Sequence, residues 1–142
     1  MKPQLIFVPV LAHICLVMSL YLLLLVRKVR VAKSGEVDLK ETALNCKAWP
    51  DTSVIKASNN LDNQFQAPMM FYALCFILYA VGGVNTLTLI LAWFFVFSRC
   101  LHAYIHTGRN YVPHRMPAFA AGLLSLAAML GVAAFEIWSK YL

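Results

Sequence analysis

Eight polar side chains stand at the margins of otherwise apolar stretches, and their types suit the capture of an anion. Asn59, Asn63 and Gln66 are spaced four and three apart; Arg99, His102 and His106 are spaced three and four apart. On continuous helices each set makes one polar stripe. His114 and Arg115 stand immediately before another apolar stretch. At a helix start, free backbone N–H groups, the positive end of the helix dipole and a guanidinium together favour a carboxylate or a thiolate. A thiolate held beside Arg115 would have a lowered pKa, which puts more nucleophile in solution at neutral pH. The amides of Asn63 and Gln66 both donate and accept, as a peptide-like ligand requires. The plainer reading of Arg99, Arg109 and Arg115, and of Arg109 above all, is a topology signal and a contact to lipid phosphate. His102 and His106 have the four-residue spacing of a zinc pair, but no carboxylate or cysteine joins them at zinc spacing, so no metal is expected.

The elements that position these groups follow from composition. The chain has 142 residues, of which 61% are hydrophobic and 13% charged, against about a quarter charged in soluble domains. Its mean hydropathy is +0.71. A soluble domain of this size cannot hide so much apolar surface. Soluble, disordered and disulfide-stapled classes are thereby excluded, and the excess must face lipid. Four stretches are long enough to span: about 5–26, 65–84, 85–106 and 117–138. The first has no small-x-small cleavage site and is too long for a signal h-region, so it reads as an uncleaved span. Gly82-Gly83 and Asn85-Thr86 mark a tight turn between spans two and three, and Pro117 suits a first helical position. The segment 27–60, with turn signals at Ser34-Gly35 and Pro50-Asp51, reads as a loop with one short helical piece. The expected fold is a single all-α membrane domain over 1–142, a four-transmembrane-helix bundle running up-down-up-down.

Charge sets the orientation. Seven of the twelve Lys/Arg lie between Arg27 and Lys56, and Arg99, Arg109 and Arg115 share that side; Lys2 and Lys140 lie on the other. The positive-inside rule puts loops 27–60 and 107–116 in the cytoplasm and both termini outside. The basic excess therefore belongs to a multi-pass membrane protein, and no nucleic-acid partner is expected. Trp138 and Tyr141 fit an outer aromatic belt, Tyr104 and Tyr111 an inner one. Ala118/Gly122 and Ala127/Gly131 repeat at four-residue spacing and admit close helix packing, either within the chain or between copies. The run Phe94-Phe95-Val96-Phe97 reads as packing or lipid-facing surface. His13, alone in span one, reads as a helix-contacting histidine whose polar atoms find partners. Cys15, Cys46, Cys75 and Cys100 show no CxxC spacing, and disulfides are not expected in a reducing compartment. Cys46, in the loop, has no evident partner base for a nucleophilic role.

Asn63-Gln64-Phe65-Gln66-Ala67-Pro68 followed by Phe71-Tyr72 resembles the signature of the MAPEG family, the membrane-associated proteins in eicosanoid and glutathione metabolism. That signature has an Asn-x-x-Glu pattern followed closely by Pro. Phe97-Ser98-Arg99 with His102, His106 and Arg115 resembles the family's third-helix end and following loop. The likeness covers residues 59 to about 135 together with the four-span plan. It implies a homotrimer, glutathione bound between neighbouring protomers near the cytoplasmic face, lipophilic substrates entering from the bilayer, and for a bacterial-type member an inner-membrane location. By resemblance, Asn63 and Gln66 match glutathione-contacting residues, Arg115 the thiolate-stabilising Arg, and Arg99 a structural or binding Arg. His102 and His106 stand where glutathione-using members often have Tyr.

Two positions depart from that pattern. Asn59 stands where catalytic members usually carry Arg, and Gln66 replaces the motif Glu, a carboxylate able to pair with the ligand's ammonium. The resemblance thus implies a glutathione-dependent transferase or peroxidase acting on lipophilic electrophiles. The two departures point instead to a non-catalytic lipid- or partner-binding protein of the same fold.

Overall fold

The computed structural model of the chain describes residues 2–35, 37–45 and 48–141; Cys46 and the side chain of Tyr141 lie outside the described set. Most of the described residues are helical, with no strand among them. A 3-10 turn, Pro3–Ile6, leads into α1 (Phe7–Lys33), followed by α2 (Leu39–Leu44), α3 (Thr52–Asn63), α4 (Ala67–Ala80), α5 (Thr86–Thr107) and α6 (Val112–Tyr141). Three segments are long and apolar enough to cross a membrane by length and composition: Pro3–Lys33, Thr86–Thr107 and Val112–Lys140. Their outward faces are those of a lipid-facing protein. Phe97, Leu124, Phe135 and Trp138 are each about 70% exposed, an arrangement that water would penalise strongly.

The helix in the expected second span, 65–84, is shorter than that stretch. That helix is α4, with 14 residues. At about 1.5 Å per residue it reaches roughly 21 Å, short of the roughly 30 Å hydrocarbon core. Pro68 is the cause at one end. It has no N–H, and its ring would clash with the Gln64 carbonyl in a continuous helix. The chain instead leaves α3 through tight bonds from Gln64 N–H to Leu61 O (2.9 Å) and Phe65 N–H to Asp62 O (3.0 Å). At the other end Gly82 takes φ +67°, a conformation glycine adopts without a Cβ penalty. The Gly83 N–H then closes on Leu78 O at 2.8 Å. Asn85 caps α5 as a reciprocal box with Thr88, at 3.0 and 2.9 Å.

The described residues of segment 27–60 are also more helical than a loop. α1 continues seven residues past Val26, because Arg27–Lys33 contains neither Gly nor Pro; Gly35 (φ +76°) follows its end. Asp38 caps α2, and Asp51 caps α3 through Ser53 N–H at 2.7 Å. That N–H holds the Asp51 carboxyl below its ordinary range, with help from Arg27 and Arg30. Arg27 donates to Ser53 O at 2.7 Å and to Thr107 O at 3.1 Å, and Lys56 donates to Gly108 O at 3.2 Å. These cations complete the carbonyl end of α5. Arg27 is therefore a clamp between α1, α3 and α5. Arg27→Ala should lower stability by about 1–3 kcal/mol by removing two charge-assisted bonds. Thermal unfolding in detergent checks this, and Arg27→Lys should recover part of the loss.

α6 starts at Val112, five residues before the expected 117, and carries Pro117 inside. Pro113 takes the opening role expected of Pro117, since a proline early in the first turn forfeits no helical bond. α5 and α6 form the most extensive pairing, while α4 packs on α6 and α1 packs on α3 and α5. In the core, Phe71 and Phe95 stack at 4.5 Å and are fully buried with Ile6, Leu78 and Met129. The small-residue stripe of α6 divides. A Cβ on Gly122 would meet Ser98 Oγ at 2.8 Å, whereas Gly131 has open space beside it. Ala118 and Gly122 thus serve packing inside the chain, and Ala127 and Gly131 face outward. Gly122→Ala should destabilise the α5–α6 pair by about 1–2 kcal/mol, read as a fall in melting temperature. Ser98→Ala in the same chain should restore most of it.

Candidate functional site

α3, α5 and α6 meet beside a cleft of about 170 Å³ lined by Asn63, His102, Arg115, Met116 and Phe119. Each polar group in it comes from a different one of the three polar sets. Asn63 is the last residue of α3 and donates to Asn59 O at 2.9 Å, which fixes its amide along the helix. Arg115 lies in the first turn of α6, and its Nη1 donates to Asn110 Oδ1 at 2.7 Å. Asn110 has φ +56°, a conformation asparagine tolerates better than most residues. The turn between α5 and α6 therefore aims the guanidinium, and the start of α6 adds its dipole.

Behind the cleft, Arg99 is fully buried. Its Nη2 lies 3.0 Å from His102 Nδ1, and its guanidinium sits 5.3 Å from the Phe119 ring centre. A guanidinium can only donate, so Nδ1 of His102 accepts. The ring's own proton then belongs on Nε2, which leaves an N–H donor for a ligand in the cleft. His106 is buried and its ring lies 5.5 Å from that of His102, tilted at 43°, without lining the cleft. Among the described residues no carboxylate lines the cleft. The Lys140–Glu136 pair (2.7 Å) lies at the opposite end of α6, where Lys140 also donates to Val81 O. Arg99 Nε and Nη1 have no hydrogen-bond partner among the described residues. A cluster of cations and neutral donors without a counter-charge is an arrangement that an anion completes.

Asn59 and Gln66 do not join this cleft; both are exposed. The stripe expected of Asn59, Asn63 and Gln66 requires one continuous helix, and the break forced by Pro68 ends α3 at Asn63. Gln66 stands outside the helix at the head of α4. Two neighbours that the spacing argument passed over are buried instead. Asn60 and Gln64 are hidden inside the bundle, with Gln64 Nε2 donating to Asn60 Oδ1 at 3.4 Å. Gln64 also faces His13, whose Nδ1 bonds the Tyr72 hydroxyl at 2.7 Å. A polar partner expected for His13 is thus Tyr72, on α4, while His13 Nε2 is buried with no hydrogen-bond partner among the described residues. Four residues apart, Asn60 and Gln64 carry the same polar periodicity as Asn59 and Asn63, and that pairing was the available signal. Among the described residues, no group of three His, Cys, Asp or Glu side chains gathers as a metal site.

A family model described as "MAPEG family" matches residues 8–135 of the chain. Neither the curated proteins nor the solved structures contain a match.

Proposed function

Because this chain belongs to the MAPEG family, we propose that it is a glutathione-dependent membrane enzyme, a transferase or peroxidase for lipophilic electrophiles. The observation that supports this reading is the cleft at which Asn63, His102 and Arg115 converge. Glutathione is the thiol cosubstrate. Arg115 holds its sulfur as the thiolate, the Nε2–H of His102 and the amide of Asn63 take its polar backbone, and Arg99 and His106 set the His102 ring. In a transfer step the thiol gives up its proton, the sulfur forms a bond to the electrophilic carbon, and the leaving group departs with the bonding pair. Phe119 and Met116 offer the apolar wall against which a lipophilic electrophile lies.

The same reading places the protein in the bilayer as one domain that crosses four times and assembles as a homotrimer, in a bacterial inner membrane. α4 makes the short crossing, with Gln64 of the turn before it buried inside the bundle. The termini lie outside, and the Arg27, Lys56 and Arg115 end lies in the cytoplasm. The outward Ala127 and Gly131 supply a face on which copies approach closely.

Purified protein should consume a chloronitrobenzene-type electrophile only when glutathione is present; a rate equal to that of buffer removes the enzyme reading for that substrate class. Asn59 and Gln66 favour a second reading, a non-catalytic binder of a lipid or partner helix. It predicts no glutathione-dependent rise in melting temperature in detergent, but a rise with a lipophile or partner.

A further inference from the structure

A larger cavity, about 400 Å³, lies at the turn between α5 and α6 and shares no lining residue with the cleft. Tyr104, Ile105, Gly108, Arg109, Tyr111 and His114 surround it. Its polar groups are cationic or neutral donors, with no carboxylate among the lining residues. Arg115 is held by Asn110, and Arg99 by His102. The Arg109 guanidinium, by contrast, has no hydrogen-bond or ion-pair partner among the described residues. Tyr111 and His114 meet edge to face at 5.0 Å, so the first turn of the 30-residue α6 borders the cavity with its positive dipole end. Phenol, imidazole and guanidinium groups around a helix start fit a phosphate.

A second observation says what carries that phosphate. Leu87, Ile90, Phe94, Phe97, Leu101 and Tyr104 are spaced three and four apart along α5, and each is 45–79% exposed. They form one apolar stripe from the start of α5 to the cavity wall, where Tyr104 belongs to both. We propose that the cavity is a headgroup site for an anionic phospholipid, whose phosphate is held by Arg109 and His114 and whose acyl chain lies along the α5 stripe. The guanidinium supplies the charge, the tyrosine rings cover the glycerol region, and the stripe replaces bulk lipid with an ordered chain.

The test titrates detergent-solubilised protein with short-chain phosphatidylglycerol, short-chain phosphatidylcholine or inorganic phosphate, reading melting temperature and lipid adducts by native mass spectrometry. Phosphatidylglycerol should bind saturably and at least about tenfold more tightly than phosphatidylcholine, and Arg109→Gln with His114→Gln should remove that preference. Arg109→Lys should retain most of it, and Lys2→Gln, before the start of α1 at the other end of the bundle, all of it. Equal binding of phosphatidylglycerol by wild type and the double variant overturns the proposal. So does equal affinity for inorganic phosphate, or a loss that appears only with Arg115→Gln in the neighbouring cleft.

Discussion

Arg115→Ala is expected to lower the glutathione-dependent rate by about 100-fold while leaving the fold intact. Arg115 contacts Asn110 on the turn before its own helix and contributes no bond to the core, so its removal leaves the α5–α6 pairing in place. What disappears is the charge beside the sulfur. A charge-assisted hydrogen bond contributes about 1.5–3 kcal/mol, a factor of roughly 10 to 150, and the thiolate fraction at neutral pH falls with it. The two effects separate by experiment. Raising the pH restores thiolate and should recover part of the rate in Arg115→Ala but little in wild type. Arg115→Lys should fall between the two, since a lysine keeps the charge but loses the fork that also holds Asn110. Stopped-flow assays across pH, with melting curves on the same samples, check each part. A full rate in Arg115→Ala would exclude Arg115 as the thiolate partner.

Met116→Glu is expected to act in the opposite direction, raising affinity for glutathione about 10- to 30-fold. The cleft offers a ligand only cations and neutral donors, so the α-ammonium of a bound glutathione would meet no carboxylate. Glu at position 116, on the cleft lining, would supply one near the start of α6, where a negative charge also suits the helix dipole. A charge-assisted contact there is worth about 1.5–2 kcal/mol. The control is a thiol peptide whose α-amine is acetylated: its affinity should not rise, because it carries no ammonium. A gain of equal size for both ligands would mean that residue 116 acts on stability and not on the ligand. Gln66→Glu, outside the cleft, should leave both affinities unchanged.

Three of the cleft's polar residues were legible from spacing because each belongs to an element whose register is fixed. His102 lies on a long helix that a capped turn begins at Asn85, so the interval from Arg99 reads directly as one face. Arg115 is placed by the opening of the next helix. That opening was misread by five residues because Pro113 and Pro117 are both competent first-turn prolines, and spacing does not choose between them. Asn59 and Gln66 fall outside the cleft for a different reason. α3 is polar on most sides, so no apolar stripe tells Asn59 from Asn60 or Asn63 from Gln64 as the inward pair. Pro68 cuts the helix just where the stripe was extended. The same proline shortened the second span, whose apolar run looked long enough by composition alone. The clamp by Arg27 was invisible for lack of sequence proximity: Ser53 and Thr107 lie 26 and 80 residues away. Its charge was legible from composition alone, but its hydrogen bonds are tertiary.

Photoaffinity mapping puts the central claim to the most immediate trial. Glutathione carrying a benzophenone on sulfur, irradiated with the protein in lipid nanodiscs, should attach to Met116 or Phe119 or to a residue within one helical turn of Asn63 or His102. Unmodified glutathione should compete the label away. Attachment confined to the end of the molecule around Gly82 and Lys140, or labelling that glutathione does not displace, would contradict the account.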